Sequence, residues 1–424
     1  MIIKVIITFV IIIFITTSFL MLITSSQLER FRRDTPGVQE RIHFNNAGAA
    51  LPPEVVLQAI QQHLALEARI GGYEAAIAAR REAAGFYRAA GQLLNAPAKN
   101  IAFAASATEA YNKALSSIDF QAGDVILTTE DDYVSNQIAF LQLEKRQGVR
   151  LLRTSTRPEG GFDAGSMEEL IRKHHPKLVA VTHIPTNSGL VQDVAAAGQL
   201  CRQYGALYLL DACQSAGQMP LDASRLHCDF LSATFRKFLR GPRGAGFLYV
   251  SDRALEMGLA PLFLDLHSAD WAEAGRYEPK SDARRFETWE RSYALLLGSK
   301  AAAEYALEIG LEAIQERTFR LASLLREQLS GVPQLQVLDR GAALCGIVTA
   351  HASGWKPLPL KLALEQKGVN ASVSGRSSAV IDFARKGVGW ALRLSPHYYN
   401  TEEEVRLAVQ HLREVLVNNP FDHE

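Results

Sequence analysis

The sequence predicts an α/β protein: a mostly parallel large-domain sheet with helices on both faces, followed by a smaller α+β C-terminal domain. Three observations predict it. Apolar runs of strand length at 101–105, 124–129, 150–154, 177–184 and 206–212 alternate with helical patterns at about 136–147, 166–174 and 193–204. Repeated βα units join parallel strands and lay helices over both faces. Polar residues gather directly after the strands, Tyr133, His183, Thr186, Asn187, Asp211 and Gln214 among them, at the edge where open α/β sheets bind ligands.

Residues 5–23 carry no charge. As a helix they span roughly 28 Å, close to a bilayer core of about 30 Å, so the expectation is a membrane anchor. Lys4 stands alone before the segment while Arg30, Arg32, Arg33 and Arg41 follow it, which leaves the body of the protein in the cytoplasm. If Met21 is the true start, the protein is plainly cytoplasmic. The stretch HFNNAGAA at 43–50 suits a turn beside a ligand or backbone. A helix begins after Pro52-Pro53, and Gly71-Gly72 separates it from a second over about 74–94. Strand 101–105 runs into Ser106-Ala107-Thr108-Glu109, a helix start whose hydroxyls and unbonded N–H groups suit a phosphate. The same S-x-x-E is also a capping box. Beyond the sheet, 261–293 is an irregular linker and 299–329 one long helix. Strands at 335–339, 345–350 and 390–395 follow, and Thr401-Glu402-Glu403-Glu404 caps a final helix. The expected organisation is a hydrophobic segment 1–26, an arm and helix 27–70, a large domain 71–295 and a small domain 296–424.

The chemistry concentrates in 207–246. An apolar run ends on Asp211, and a second, at 230–234, leads to Lys237 and the glycine-broken loop from Gly241 to Gly246. An acid and an amine at two strand ends suit pyridoxal phosphate: a lysine holds the aldehyde as a Schiff base, and a carboxylate keeps the ring nitrogen protonated. A structural aspartate and a surface lysine would read alike from these two residues alone. Lys+Arg and Asp+Glu are 45 each, so no bulk charge points to nucleic acid. The four cysteines lack metal-ligand spacing and no metal is expected. No G-x-G-x-x-G follows the first strand and no Walker loop is present, so nucleotide binding is not supported.

The blocks THIPTNSG, LLDACQSAGQMPLD, DFLSATFRKFLRGPRGAG and LRLSPHYYNTEEEV, in this order and spacing, resemble the class V aminotransferase family, the cysteine desulfurase-like and isopenicillin N epimerase-like branch of fold type I pyridoxal phosphate enzymes. The resemblance covers nearly everything from His43 onward. It implies pyridoxal 5′-phosphate as cofactor, Lys237 as the Schiff-base lysine and Asp211 as partner of the ring nitrogen. It further implies Gln214 and Asn187 near the ring hydroxyl oxygen, and Ala107, Thr108, Thr234 and Arg236 at the phosphate. Tyr133 stands where an aromatic stacks on the ring, and Arg393 where an arginine receives the substrate α-carboxylate. Arg236 replaces a histidine, but a guanidinium suits phosphate equally well.

Two departures narrow the activity. The loop before Arg393, SVSGRSSAVIDFARKG, has Ser377 and Ser378 where desulfurases carry a nucleophilic cysteine, which disfavours persulfide chemistry by that route. The segment from Arg285 to Glu290 departs from a family motif whose threonine reaches a phosphate across a homodimer. The expectation is an enzyme that binds an α-amino acid and removes its α-proton with Lys237, of the aminotransferase or Cβ–S lyase type. The alternatives are an epimerase or racemase, and a non-catalytic membrane-tethered protein on the same fold.

Overall fold

The computed structural model describes residues 22–417. Fifteen strands occur among them: β1 (Ile42–His43), β2 (Ile101–Ala104), β3 (Val125–Thr128), β4 (Arg150–Arg153), β5 (Leu178–Thr182), β6 (Leu207–Asp211), β7 (Phe230–Thr234), β8 (Gly246–Val250), β9 (Ala269–Glu273), β10 (Arg276–Pro279), β11 (Leu335–Val337), β12 (Val348–Ala352), β13 (Val369–Asn370), β14 (Ser372–Gly375) and β15 (Trp390–Leu394). Seven form one sheet in the order β2-β8-β7-β6-β5-β3-β4. Only β8 runs antiparallel to its neighbours, because the glycine loop returns the chain directly from β7. The architecture is the predicted mostly parallel α/β sheet.

Every residue of β5 to β8 is buried, as expected of strands covered on both faces. Side chains alternate between the faces and supply two cores. Val179, Val181, Tyr208, Leu210 and Leu231 enter one cluster; Leu178, Ala180, Leu207, Leu209 and Phe230 enter the other. This alternation later decides which strand-end residues can share a site.

The C-terminal part forms an antiparallel sheet, β11-β12-β15-β14, with its own core of Leu321, Leu325, Leu360, Leu392 and Leu412. The chain just before the 45–50 turn joins this part, since β1 pairs in parallel with β13 and Asn45 bridges Ser395. Asp339 ties the two parts together. It pairs with Arg326 at 2.8 Å and accepts from the Gly189 N–H at 2.9 Å and the Thr349 hydroxyl at 2.5 Å.

Several expectations need correction. The helix expected over 299–329 is two helices, Tyr293–Ile309 and Leu311–Ser330, because Gly310 takes φ 91°, outside the helical region. The helix expected over 74–94 is likewise two, Gly72–Ala78 and Arg80–Gln92, divided at Ala79. The linker 261–293 contains the hairpin β9–β10. The basic stretch after residue 24 is a helix, Ser25–Arg33, with a Thr24/Gln27 capping box. Among the described residues no helix is long and apolar enough to cross a membrane. The expected anchor at 5–23 lies outside them except for Leu22 and Ile23, of which Ile23 packs against the first core.

Candidate active site

The carboxyl ends of β5, β6 and β7 deliver the polar residues. Asp211 pairs in register with Thr182, so both continue the face already occupied by Ala180 and Leu209. Asp211 is buried. Its Oδ1 accepts from the Cys213 N–H at 2.9 Å and its Oδ2 from the Asn136 side-chain amide at 3.2 Å. His183 is one residue further along and faces the opposite side, where it lines a cleft with Met219 and Leu311. Strand alternation therefore removes His183 from the crevice that holds Asp211.

Lys237 follows β7 and is 6% exposed, and among the described residues none forms an ion pair or hydrogen bond with its Nζ. Burial pushes its amine below the usual lysine range, and the charges of Arg236 and Arg393 push in the same direction, against Cys213 and Asp211. These couplings place the amine among the strand-end groups. A buried lysine with lowered proton affinity is available as a nucleophile or base.

Asn187 and Gln214 each use one end of the amide for the protein. The Asn187 amide donates to Ser378 O at 2.9 Å, and that of Gln214 to Ala47 O at 3.1 Å and Thr186 Oγ1 at 3.4 Å. Their side-chain oxygens are buried without a protein partner. Buried polar atoms are normally satisfied, so two orphans in this place fit a bound polar group.

The helix Ala107–Ser116 resolves the double reading of its start. Ser106 Oγ accepts from the Glu109 N–H at 3.1 Å, and Glu109 returns by accepting from the Ala105 N–H at 2.8 Å. The cap thus consumes Ser106 and Glu109 and leaves the first-turn N–H groups of Ala107 and Thr108 outside the helical ladder. Thr234 Oγ1 donates to Ala245 O at 3.3 Å beside this turn. Gly246 lets the two backbones approach: a Cβ there would sit 2.8 Å from Ala107 N.

Two guanidiniums complete the crevice. Arg393, from β15, is buried and donates to Thr186 O at 3.2 Å and Asn45 Oδ1 at 3.4 Å, while its Nε has no partner. Burial, and next the charge of Arg236, push its proton affinity down to about 10. Arg236 is half-buried and donates to Gly48 O, in the same 45–50 turn. Neither arginine pairs with a carboxylate among the described residues, so both suit an anionic ligand. Tyr133 is half-buried and caps the helix Val134–Gln147.

Sequence reasoning missed Asn136, which donates to Asp211 from the first turn of the helix Val134–Gln147, and Asp132, just before that helix, which accepts from Asn136. Asn136 comes three residues after Tyr133 and so shares its helical turn, the one sequence signal available. The segment 285–290 also has a structural explanation. Glu287 is buried and accepts from the Phe103 N–H at 2.7 Å and the Tyr87 hydroxyl at 3.0 Å, and it pairs with His267 and Arg291.

Known proteins resemble the chain along most of its length. A probable cysteine desulfurase of Methanothermobacter thermautotrophicus is 29% identical over 91% of this chain and 98% of its own. One from Pyrococcus abyssi is 27% identical over 92% and 97%. The apo structure of a cysteine desulfurase from Thermococcus onnurineus superimposes with a TM-score of 0.84 at 25% identity, covering 92% of this chain and 98% of the other. The model of the family described as aminotransferase class-V matches residues 42–407. That match spans both sheets and every strand-end residue described above, and the orphaned amides, uncompensated arginines and buried lysine fit a phosphorylated pyridine aldehyde: the chain belongs to the class V aminotransferase family of fold type I enzymes, and its cofactor is pyridoxal 5′-phosphate.

Proposed function

We propose that the chain acts on a small α-amino acid, as an aminotransferase or a Cβ–S lyase. The observation that carries this reading is Lys237: a buried amine without an ion-pair partner, lowered in proton affinity, in one crevice with Asp211 and Arg393. When bound, pyridoxal phosphate supplies an electrophilic aldehyde and a ring that takes up carbanion charge. Arg393 binds the substrate carboxylate, for which a two-pronged guanidinium is the natural receptor. Lys237 removes the α-proton as general base. Asp211 holds a proton at the ring nitrogen, aimed there by its two donors. Ala107, Thr108, Thr234 and Arg236 hold the phosphate, Asn187 and Gln214 meet the ring hydroxyl oxygen, and Tyr133 covers the ring.

The loop before β15 supports transfer or elimination over desulfuration. It presents Ser377 and Ser378, and Asn187 holds Ser378 by its carbonyl. Burial raises the thiols of Cys201, Cys213, Cys228 and Cys345 above the usual value, which leaves little thiolate at neutral pH. Epimerisation ranks below both. The cysteine desulfurase names of the relatives favour a second reading, C–S bond chemistry on cysteine with Cys213 as acceptor thiol. A homodimer fits the exposed apolar surface formed by Leu262, Phe263, Leu266, Trp271, Tyr277 and Trp289.

The test is incubation of the purified protein with a panel of amino acids and keto acids, following the cofactor spectrum and the appearance of pyruvate, ammonia or a new amino acid. Lys237→Ala should abolish the visible band of the lysine-bound cofactor and all turnover. A variant that keeps that band would overturn the assignment, and a persulfide trapped on Cys213 would establish the second reading.

A further inference from the structure

We infer that Asn136 and Asp132 are positioning residues that aim Asp211 at the cofactor ring; the inference rests on Asp211 being the ring-nitrogen partner. Asn136 lies in the first turn of the helix Val134–Gln147 and is 4% exposed. Its Nδ2 donates to Asp211 Oδ2 at 3.2 Å and to Asp132 Oδ1 at 3.1 Å, with Thr182 Oγ1 also near at 3.4 Å. An amide NH2 has two hydrogens, and here each meets a carboxylate oxygen. Turning the amide over would set its oxygen against both acids, so the side chain has one allowed orientation.

Asp132 locks that orientation from behind. Its Oδ1 accepts from the Tyr133 N–H at 2.7 Å and from the Thr182 hydroxyl at 2.5 Å. Its Oδ2 accepts from the Gln137 amide at 2.7 Å and the Thr128 hydroxyl at 3.2 Å. The Gln137 oxygen in turn accepts from Arg153 Nε at 3.1 Å and Nη2 at 2.7 Å, so this guanidinium serves Asp132 through Gln137. Five donors thus converge on one buried carboxylate, where packing alone would place an apolar side chain. The arrangement makes sense if what must be held is Asn136, and through it the second oxygen of Asp211. The Cys213 N–H fixes only the first oxygen, and one anchor leaves a carboxylate rotation about its Cβ–Cγ bond.

The experiment uses the full chain with pyridoxal phosphate. Readouts are the cofactor dissociation constant, the 15N shift of the labelled ring nitrogen, and kcat and KM on the best substrate from the panel. Asn136→Ala removes a hydrogen bond to a buried charged group, so kcat should fall roughly 10- to 100-fold with KM little changed. The ring-nitrogen shift should move toward that of the unprotonated pyridine. Asp132→Asn and Thr182→Val should move the shift in the same direction by less, and Thr182→Ser, which keeps the hydroxyl, should restore it. These variants carry the test if Asn136→Ala does not fold, as judged by circular dichroism. A ring-nitrogen shift unmoved in the Asn136 and Asp132 variants, but moved in Asp211→Ala, would overturn the positioning role and leave the assignment of Asp211 standing. A shift unmoved in Asp211→Ala itself would overturn the assignment on which the inference rests.

Discussion

Replacing Gly246 by alanine tests whether the phosphate turn owes its geometry to a missing side chain. A Cβ at this position would lie 2.7 Å from Ala233 O, 2.8 Å from Ala107 N and 2.8 Å from Ser106 C. All three are backbone atoms, within β7 or at the start of the helix Ala107–Ser116, so no rotamer change relieves the contact. Ordinary contact begins near 3.4 Å, so the turn must retreat by about 3.4 − 2.8 = 0.6 Å. Overpacking of this kind costs about 1–3 kcal/mol. A displacement of this size at a positioned binding group weakens binding or rate by roughly one to two orders of magnitude. The assay pairs a thermal or urea melt of the apoprotein with the dissociation constants of pyridoxal phosphate and of pyridoxal, which lacks the phosphate. Gly246→Ala should lower stability and weaken the phosphorylated ligand more than the other. Gly275→Ala is the control, since its methyl would meet nothing within 4 Å. If Gly246→Ala matched the wild type in both stability and phosphate preference, the placement of the phosphate at Ala107 and Thr108 would be refuted.

Four further outcomes follow from the structure. Arg393→Lys keeps the charge but loses the planar fork, so KM for the amino acid should rise roughly 10- to 100-fold with a smaller change in kcat, measured by steady-state kinetics. Asp339→Ala leaves Arg326, whose side chain is 12% exposed, without its carboxylate partner and should cost about 3–5 kcal/mol in urea unfolding. Glu403→Ala, at a pair whose side chains are 59% exposed, should cost less than about 1 kcal/mol. Burial, with the charge of Asp382 next, raises the Asp131 carboxyl from 3.8 to about 6, against its pairing with Arg385. The folded chain therefore keeps a proton there that the unfolded chain releases. This contribution to stability is full below pH 3.8 and is lost as pH rises through about 6. In Asp131→Asn the fall in melting temperature across that window should be shallower; an unchanged slope would show that Asp131 does not titrate there.

How far reading by residue type reached can be seen at five residues. Asp211 and Lys237 were legible because apolar runs of strand length end just before them, and strand ends converge whatever the loops do. Ser106 and Glu109 were legible only as an ambiguity, since a capping box and a phosphate turn share residues; in the fold Ser106 and Glu109 make the cap, while Ala107 and Thr108 keep N–H groups outside the ladder. His183 stood beside Thr182 in the sequence and looked equally eligible. A strand sends consecutive side chains to opposite faces, and only the pairing of Thr182 with Asp211 shows which face carries the site.

By itself the sequence determined the α/β class, most strands of the large sheet, the placing of Asp211 and Lys237 at strand ends and the loop without a cysteine, because these depend on periodicity, chain order and residue type, all local properties. Tertiary structure alone decided that Asn136 and Asp132 stand behind Asp211 and that Arg236 and Arg393 share the 45–50 turn without carboxylate partners. It also decided that Gly310 divides one helical pattern in two. The physical reason is that contacts such as Asn136 with Asp211 and Asn45 with Arg393 join residues 75 and 348 positions apart, and which distant groups meet is set by sheet order and packing rather than by any preference of the residues themselves.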